Sequence, residues 1–418
     1  MPGTTPMQHQ LVSADRFLIR GINQSTLLNL IRTEGPVSRP QLASLSGLSL
    51  VTVIKITASL LERNLIVERD YAESTGGRRA GLLEINPAGG FVVGLIPQPA
   101  SLTAVILDLS SDLIASRQWA LPLQGNYGQA LDLIGQCCEE FFLESQVERE
   151  KIIGVGFGMS GLIDAERGFC LDATVLGWKD VEISRPLEER LGIPVFVDND
   201  VNCLAVYEKL FGQGQAYQHF LVVALGRGVG LGIIANGDLY RGAFGGAGEF
   251  GHTVVAVDGR FCDCGNRGCL ETYVSFPGIV KNYLEYAQPV TYSLAASTPE
   301  QAVLQIVERA RGGDRAAQAA MRRAGVLLGI SLANLVNIFN PECLILSTPD
   351  LNILADDLLL GAMQQEMKQH FFSQMGKDLR FFTAEQPGYQ SWARGAGSLV
   401  LRHFFGSPVR VHSPRARV

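Results

Sequence analysis

The chain has 418 residues, 47% of them hydrophobic, and a formal net charge of −6. That length exceeds what one ordinary core organises, so two or three domains are expected, with ample apolar content to bury them. No run of about eighteen apolar residues occurs, and the opening MPGTTPMQHQLVSADRF lacks the basic-then-apolar order of a signal peptide. Membrane spanning and secretion are therefore excluded as expectations, and a cytoplasmic location is expected.

The charge is uneven along the chain. Residues 1–80 carry nine basic side chains against six acidic ones, a local +3 that leaves −9 for the remainder. A positive front on an acidic chain points to a nucleic-acid contact. Residues 24–33, QSTLLNLIRT, align Leu27, Leu28, Leu30 and Ile31 on one helical stripe that Gly35-Pro36 breaks. Ser38 is placed to cap a second helix, with Pro40 and Gln41 in its first turn and Ser46-Gly47 at its end. Ser49 opens a third, LVTVIKITASLLERNL, in which Val53, Ile56, Leu60 and Leu61 face inward while Thr52, Lys55, Ser59 and Arg63 lie on other faces.

LIVERD, STGGRR and AGLLEINP then read as strand, tight turn and return strand. A short helix, a tight turn, a longer helix and a hairpin make a winged helix-turn-helix over residues 1–86, whose longer helix enters a major groove. Arg39, Ser49, Thr52 and Lys55, with Arg78 and Arg79 at the hairpin tip, are the candidate DNA contacts. A small helical interaction module with no DNA role is the alternative.

From Gly90 the pattern turns β-rich: GFVVGLIPQPASLTAVILDLSSDLIASRQWAL holds three strand-like runs, and a second such set, FLVVALGRGVGLGIIANGDLYRG, starts at Phe220. Two related β-sets, each followed by helices, fit a duplicated α/β body with a ligand cleft between two lobes. Between them, IPVFVDNDVNCLAVYEKL is a strand running into a helix with Asn199 and Asp200 at the junction. A carboxylate there can hydrogen-bond a ligand hydroxyl or take its proton, and a plain helix cap at Asp200 is the alternative.

The segment GEFGHTVVAVDGRFCDCGNRGCLET begins at Gly248 and sets His252, Cys262, Cys264 and Cys269 in one glycine-rich loop. The spacing lets that loop close a tetrahedral nitrogen and sulfur shell around zinc. All four positions are then filled by protein, which leaves none for an activated water, so the metal is structural. Buried free cysteines are the alternative, although this spacing fits no helical or strand period. Cys137, Cys138, Cys170, Cys203 and Cys343 show no disulfide-like spacing and are expected in the core. Glu249 and Glu271 flank the loop, so the metal would pin two carboxylates and His252 on one platform suited to a polyhydroxylated ligand.

GEFGH followed by CDCGNRGCLE resembles the signature of the ROK family, which groups sugar kinases with sugar-responsive repressors. The resemblance implies a two-lobed actin-like, ribonuclease H-like body: a first lobe over 87–198 and a second over 199–418, with the C-terminal helix returning to the first. It implies that His252 binds both zinc and sugar, that Glu249 and Glu271 contact sugar hydroxyls, and that Asn199 and Asp200 join them. Asp200 stands at the family kinases' general-base position. GFGMSGLID and LGWKD resemble segments on the sugar side, with Gly161 and Trp178 as candidates, and Trp178 equally fits plain core packing.

The nucleotide side departs from the family. Where its kinases carry Asp-x-Gly-Gly-Thr on the opening hairpin, this chain has Leu95, Ile96, Pro97, Gln98, Pro99 and Ala100, losing two amide donors and a magnesium ligand. GRGVG at Gly226–Gly230 keeps a second phosphate loop with Arg227 in place of the usual Thr, and Ser347, Thr348, Pro349 and Asp350 replace a glycine run after NLVNIFNPECLIL. The expectation is a sugar-responsive transcriptional regulator, a repressor of carbohydrate genes. It would bind operator DNA and a free sugar, hold structural zinc and keep Asp200 only as a vestige. The rival is an ATP-dependent sugar kinase with an appended DNA-binding domain. A homodimer or homotetramer without a membrane partner is expected, and a regulatory protein partner is open because some family members bind transporter components.

Overall fold

The computed structural model describes residues 16–69, 81–287, 298–348, 353, 357–384 and 388–406, and the chain divides into a unit of 1–90 with 401–418 and a unit of 91–400. Arg78 and Arg79, Pro349 and Asp350 lie outside the described residues.

The first unit runs α1 (Arg16–Glu34), β1 (Val37–Ser38), α2 (Arg39–Ser46), α3 (Leu50–Glu62), β2 (Ile66–Arg69) and β3 (Leu82–Ile85). Helix α1 begins well ahead of the Leu27 to Ile31 stripe; its first turn has no acidic residue to mark the start. Ser38 and Gln41 form the reciprocal capping box that opens α2, and Gly47, at φ 69°, closes it in the left-handed conformation. Ser49 caps α3 by accepting the Thr52 amide. Leu27, Leu28 and Ile31 meet Leu42, Val53, Ile56, Leu60, Ile66 and Leu83, all buried, over the antiparallel sheet β1-β3-β2. Arg39 donates to both Glu68 oxygens at 2.7 and 2.8 Å and to Thr57 Oγ1 at 3.2 Å, tying α2 to α3 and β2.

The second unit opens with β4 (Phe91–Gln98), β5 (Ser101–Asp108), β6 (Leu113–Ala120), α4 (Tyr127–Glu144) and β7 (Ile152–Met159). It continues through β8 (Leu162–Asp164), β9 (Phe169–Ala173), β10 (Trp178–Glu182), α5 (Ser184–Leu191), β11 (Val195–Asn199) and α6 (Asp200–Leu210). After α6 come β12 (Phe220–Leu225), β13 (Val229–Ala235), β14 (Asp238–Leu239), α7 (Glu271–Val274), α8 (Phe276–Tyr286), α9 (Pro299–Arg311) and α10 (Arg315–Phe339). The last elements are β15 (Cys343–Ser347), α11 (Asp357–Gln369), β16 (Arg380–Thr383) and α12 (Tyr389–Phe405).

Two five-stranded sheets repeat one plan: β6-β5-β4-β7-β11 and β14-β13-β12-β15-β16. In each, a three-strand antiparallel meander is extended by two parallel strands. Helices α4 and α5 cover the first sheet through Ile134, Phe141, Phe142, Leu187 and Leu191. Leu221, Val223, Leu231, Ile233, Leu344 and Leu346 of the second sheet meet α7 to α11. Helix α10 is long and apolar enough to cross a membrane by composition, but most of its apolar stretch is buried in that core. A small sheet, β10-β9-β8, has no clear period-two signal in the sequence; it buries Trp178, whose indole donates to Leu123 O at 3.1 Å, so Trp178 is a core residue.

Helix α12 lies on the first sheet so closely that a Cβ at Gly94 or Gly156 would run into the carbonyls of Ala393 or Ala396. Backbone cannot give way as a flexible side chain can. Gly156→Ala should therefore cost about 2–3 kcal/mol, read as a lower urea midpoint. Gly361→Ala, in α11 with open space around it, should be neutral or slightly stabilising.

Candidate functional site

Helix α6 is buried through Asp200, Val201, Asn202, Cys203, Leu204, Ala205, Val206 and Glu208. Small residues permit this. Gly230 and Gly232 of β13 admit Val201 and Ala205, and Gly158 of β7 admits Cys203. The helix is capped by Asn199, not Asp200: Asn199 Oδ1 accepts the amides of Val201 and Asn202 at 2.9 and 3.3 Å, and its Nδ2 donates to Gly161 O at 3.1 Å. Asn199 thus fixes both the helix start and the Gly161 turn, where φ is 124° and a Cβ would strike the Asp172 carbonyl. With the cap supplied by its neighbour, Asp200 is left at the buried first position of α6.

The loop after β14 carries the other candidate ligands. Arg241 donates to Asp198 Oδ2 at 2.9 and 2.5 Å, and Asp198 is 2% exposed. Asp198 also accepts the Asn199 amide and the Asn202 side chain. A buried carboxylate without such partners would be costly. Sequence reasoning missed this pair. Asp198 was visible beside Asn199, but nothing in one sequence names a partner so distant in the chain.

His252 lies between the carboxylates and the cysteines. Its Nε2 is 3.8 Å from Glu249 Oε2 and its Nδ1 is 3.6 Å from Cys262 Sγ. The ligand atoms of His252, Cys262, Cys264 and Cys269 all lie within 4.8 Å of one another, so the four could hold a metal ion. Cys264 and Cys269 sulfurs are 3.7 Å apart. That is too long for a disulfide and close to the edge of a zinc tetrahedron, about 3.8 Å for Zn–S bonds of about 2.3 Å. Arg260 braces the loop, donating to Thr272 O at 2.6 Å, Glu285 at 2.8 Å and Asn282 at 2.8 Å while lying over the Tyr273 ring.

Glu271 opens α7 and accepts the Val229 amide at 3.1 Å, next to Gly228, so it touches the phosphate-type loop as well as the cysteine loop. In that loop Arg227 pairs with Glu300 at 2.9 Å. The opening hairpin turns through Pro99 and Ala100, whose carbonyls already accept Leu123 and Leu121. The β13–β14 turn is made by Asn236 and Gly237, both at positive φ.

Burial pushes the Asp200 carboxyl up to about 7, and the charge of Glu249 adds to the effect. Burial also raises Glu249, with Glu271 adding to it and His252 opposing. Acidic groups held this way can share or accept hydrogen bonds with neutral hydroxyls. Because the folded chain binds the Asp200 proton more tightly than the unfolded chain does, this contribution to stability is full below about pH 4 and is lost as pH rises toward about 7. Asp200→Asn removes that titration. Between about pH 5 and 7 the wild-type urea midpoint should fall relative to the variant; parallel profiles would show an ordinary carboxylate.

Residues 101–403 match the ROK family. Over 392 residues the chain is 28% identical to the xylose repressor of Bacillus subtilis strain 168, covering 94% of this chain and 98% of that protein. Among solved structures it resembles a ROK family transcriptional regulator, a homolog of the Escherichia coli MLC protein, with a TM-score of 0.81, 27% identity, and coverage of 93% of this chain and 97% of that one. A ROK family glucokinase from Streptomyces griseus, solved with glucose and AMPPNP, matches with a TM-score of 0.62 and 28% identity, over 74% of this chain and 99% of its own. The repeated sheets, the His and Cys cluster beside paired carboxylates and a family match over most of the length agree, and the chain belongs to the ROK family.

Proposed function

We propose that this chain is a sugar-responsive transcriptional repressor that acts in the cytoplasm, binds operator DNA through its first unit and a free sugar through its second, and does not phosphorylate that sugar. The observation that carries the reading is the capped helix pair α2–α3, with its tight Gly47 turn, in the same chain as the Asp200, Glu249, His252 and Glu271 set. Helix α3 takes the recognition position. Asn199 serves as scaffold to the ligand set, and Arg39, held by Glu68 and Thr57, as scaffold to α3. Lys55 and the hairpin-tip arginines Arg78 and Arg79 remain the polar DNA contacts in the proposal, while Thr52 is turned to Ser49.

Against phosphoryl transfer stand the opening turn, which offers occupied carbonyls and a proline where amide donors are needed, and Arg227, already paired with Glu300. His252 Nδ1 and the three sulfurs of Cys262, Cys264 and Cys269 would hold zinc, whose closed shell supplies rigidity and no activated water. The loop then presents Glu249 and Glu271 to sugar hydroxyls and His252 Nε2 to the same side. A homodimer or homotetramer would present two recognition helices to a two-fold operator. Sugar would shift DNA affinity only by its differential affinity for two arrangements of the assembly.

Protein purified without chelators should contain about one zinc per chain, measured by elemental analysis, and lose sugar binding on chelation. Full-length protein should bind operator fragments in anisotropy titrations and respond to one of the common pentoses, hexoses or N-acetylated sugars. Glu249→Gln should weaken the sugar response by roughly 5- to 150-fold through a lost charged hydrogen-bond partner to the sugar, with DNA affinity unchanged. A sugar-dependent release of ADP at enzymatic rate, lost in Asp200→Ala, would overturn the repressor reading in favour of a kinase.

A further inference from the structure

The outward face of α3 is apolar apart from Lys55. Val51 is 76% exposed, Ile54 49% and Leu50 45%, and Leu45 at the end of α2 is 55% exposed. Val51, Ile54, Lys55 and Ala58 are spaced as one helical stripe, all exposed, on the side away from buried Val53, Ile56 and Leu60. Large apolar side chains exposed together on one helix face mark an interaction surface. The polar groups expected to read bases are committed elsewhere. Ser49 Oγ and Thr52 Oγ1 hydrogen-bond each other at 2.8 Å, Ser49 also caps the helix, and Arg39 holds Glu68 and Thr57.

A recognition helix faces the floor of a major groove, where the one apolar group is the C5-methyl of thymine. Resting on the DNA-binding reading above, we propose that α3 identifies its operator through thymine methyl groups. Val51 and Ile54 are the principal reading side chains, Ala58 and Leu50 extend the contact, and Lys55 holds the helix against the phosphates. Lys55 within the stripe is what selects DNA as the occupant: a cation at that position complements a phosphate backbone and would be a buried unpaired charge against an apolar protein face. The specificity is hydrophobic, so the operator must present thymines at matching positions in each half-site.

The test uses full-length protein and a duplex recovered from random DNA by selection. Each thymine is replaced in turn by deoxyuridine, which keeps base pairing and removes only the methyl. At two or more positions per half-site, affinity should fall about fourfold, the effect of exposing one methyl-sized group. Val51→Ala and Ile54→Ala should each erase the deoxyuridine penalty at one position and leave it at the others. Both side chains are exposed, so the thermal midpoint should stay unchanged and serves as the folding control. Uniform affinity across the deoxyuridine series, in protein that binds the selected duplex, overturns the thymine proposal and leaves DNA binding standing. Failure to select any duplex overturns both. Val51→Glu that splits an assembly in sedimentation while DNA affinity holds would assign the stripe to contact between copies instead.

Discussion

The close seating of α6 organises the second unit. One helix is buried against β13 on one side and β7 on the other because glycines at 158, 230 and 232 leave room for Cys203, Val201 and Ala205. Its N-terminus ends where Asn199 caps it, and Asp200, Asp198 and Asn202 take their places from that end. The carboxylates across the loop gain meaning from this fixed edge, since a ligand can be gripped from both sides only if neither side drifts.

Much of this was legible in the chain. Residues with a local physical signature could be read directly: Ser38 with Gln41, Gly47, Ser49, the β-alternation from Gly90 and Phe220, and the cysteine spacing. Each acts over a few residues, through caps, φ preference, period or ligand reach. The resemblance supplied the roles of Glu249, His252 and Glu271. What stayed hidden depended on contacts between distant segments. Arg39 looked like a free cation until Glu68 and Thr57 enclosed it, Asn199 took the cap considered for Asp200, and Trp178 met Leu123.

The two units solve opposite problems. The second buries several polar groups in matched pairs, as Arg241 with Asp198 and Arg260 with Asn282. The first spends its polar groups on caps and on the Arg39 clamp, and turns apolar side chains outward. A surface of that kind gains free energy only when something displaces its water.

The Arg241–Asp198 pair bears on position. The glycine-rich segment 242–248, between Arg241 and Glu249, is tethered at its start by a charge pair whose acidic member is almost fully buried. Moving that start means separating two charges of which the acidic one is almost fully out of water, a costly step. The pair therefore fixes where the chain leading to Glu249 starts, and holds that start against the strand end that carries Asn199.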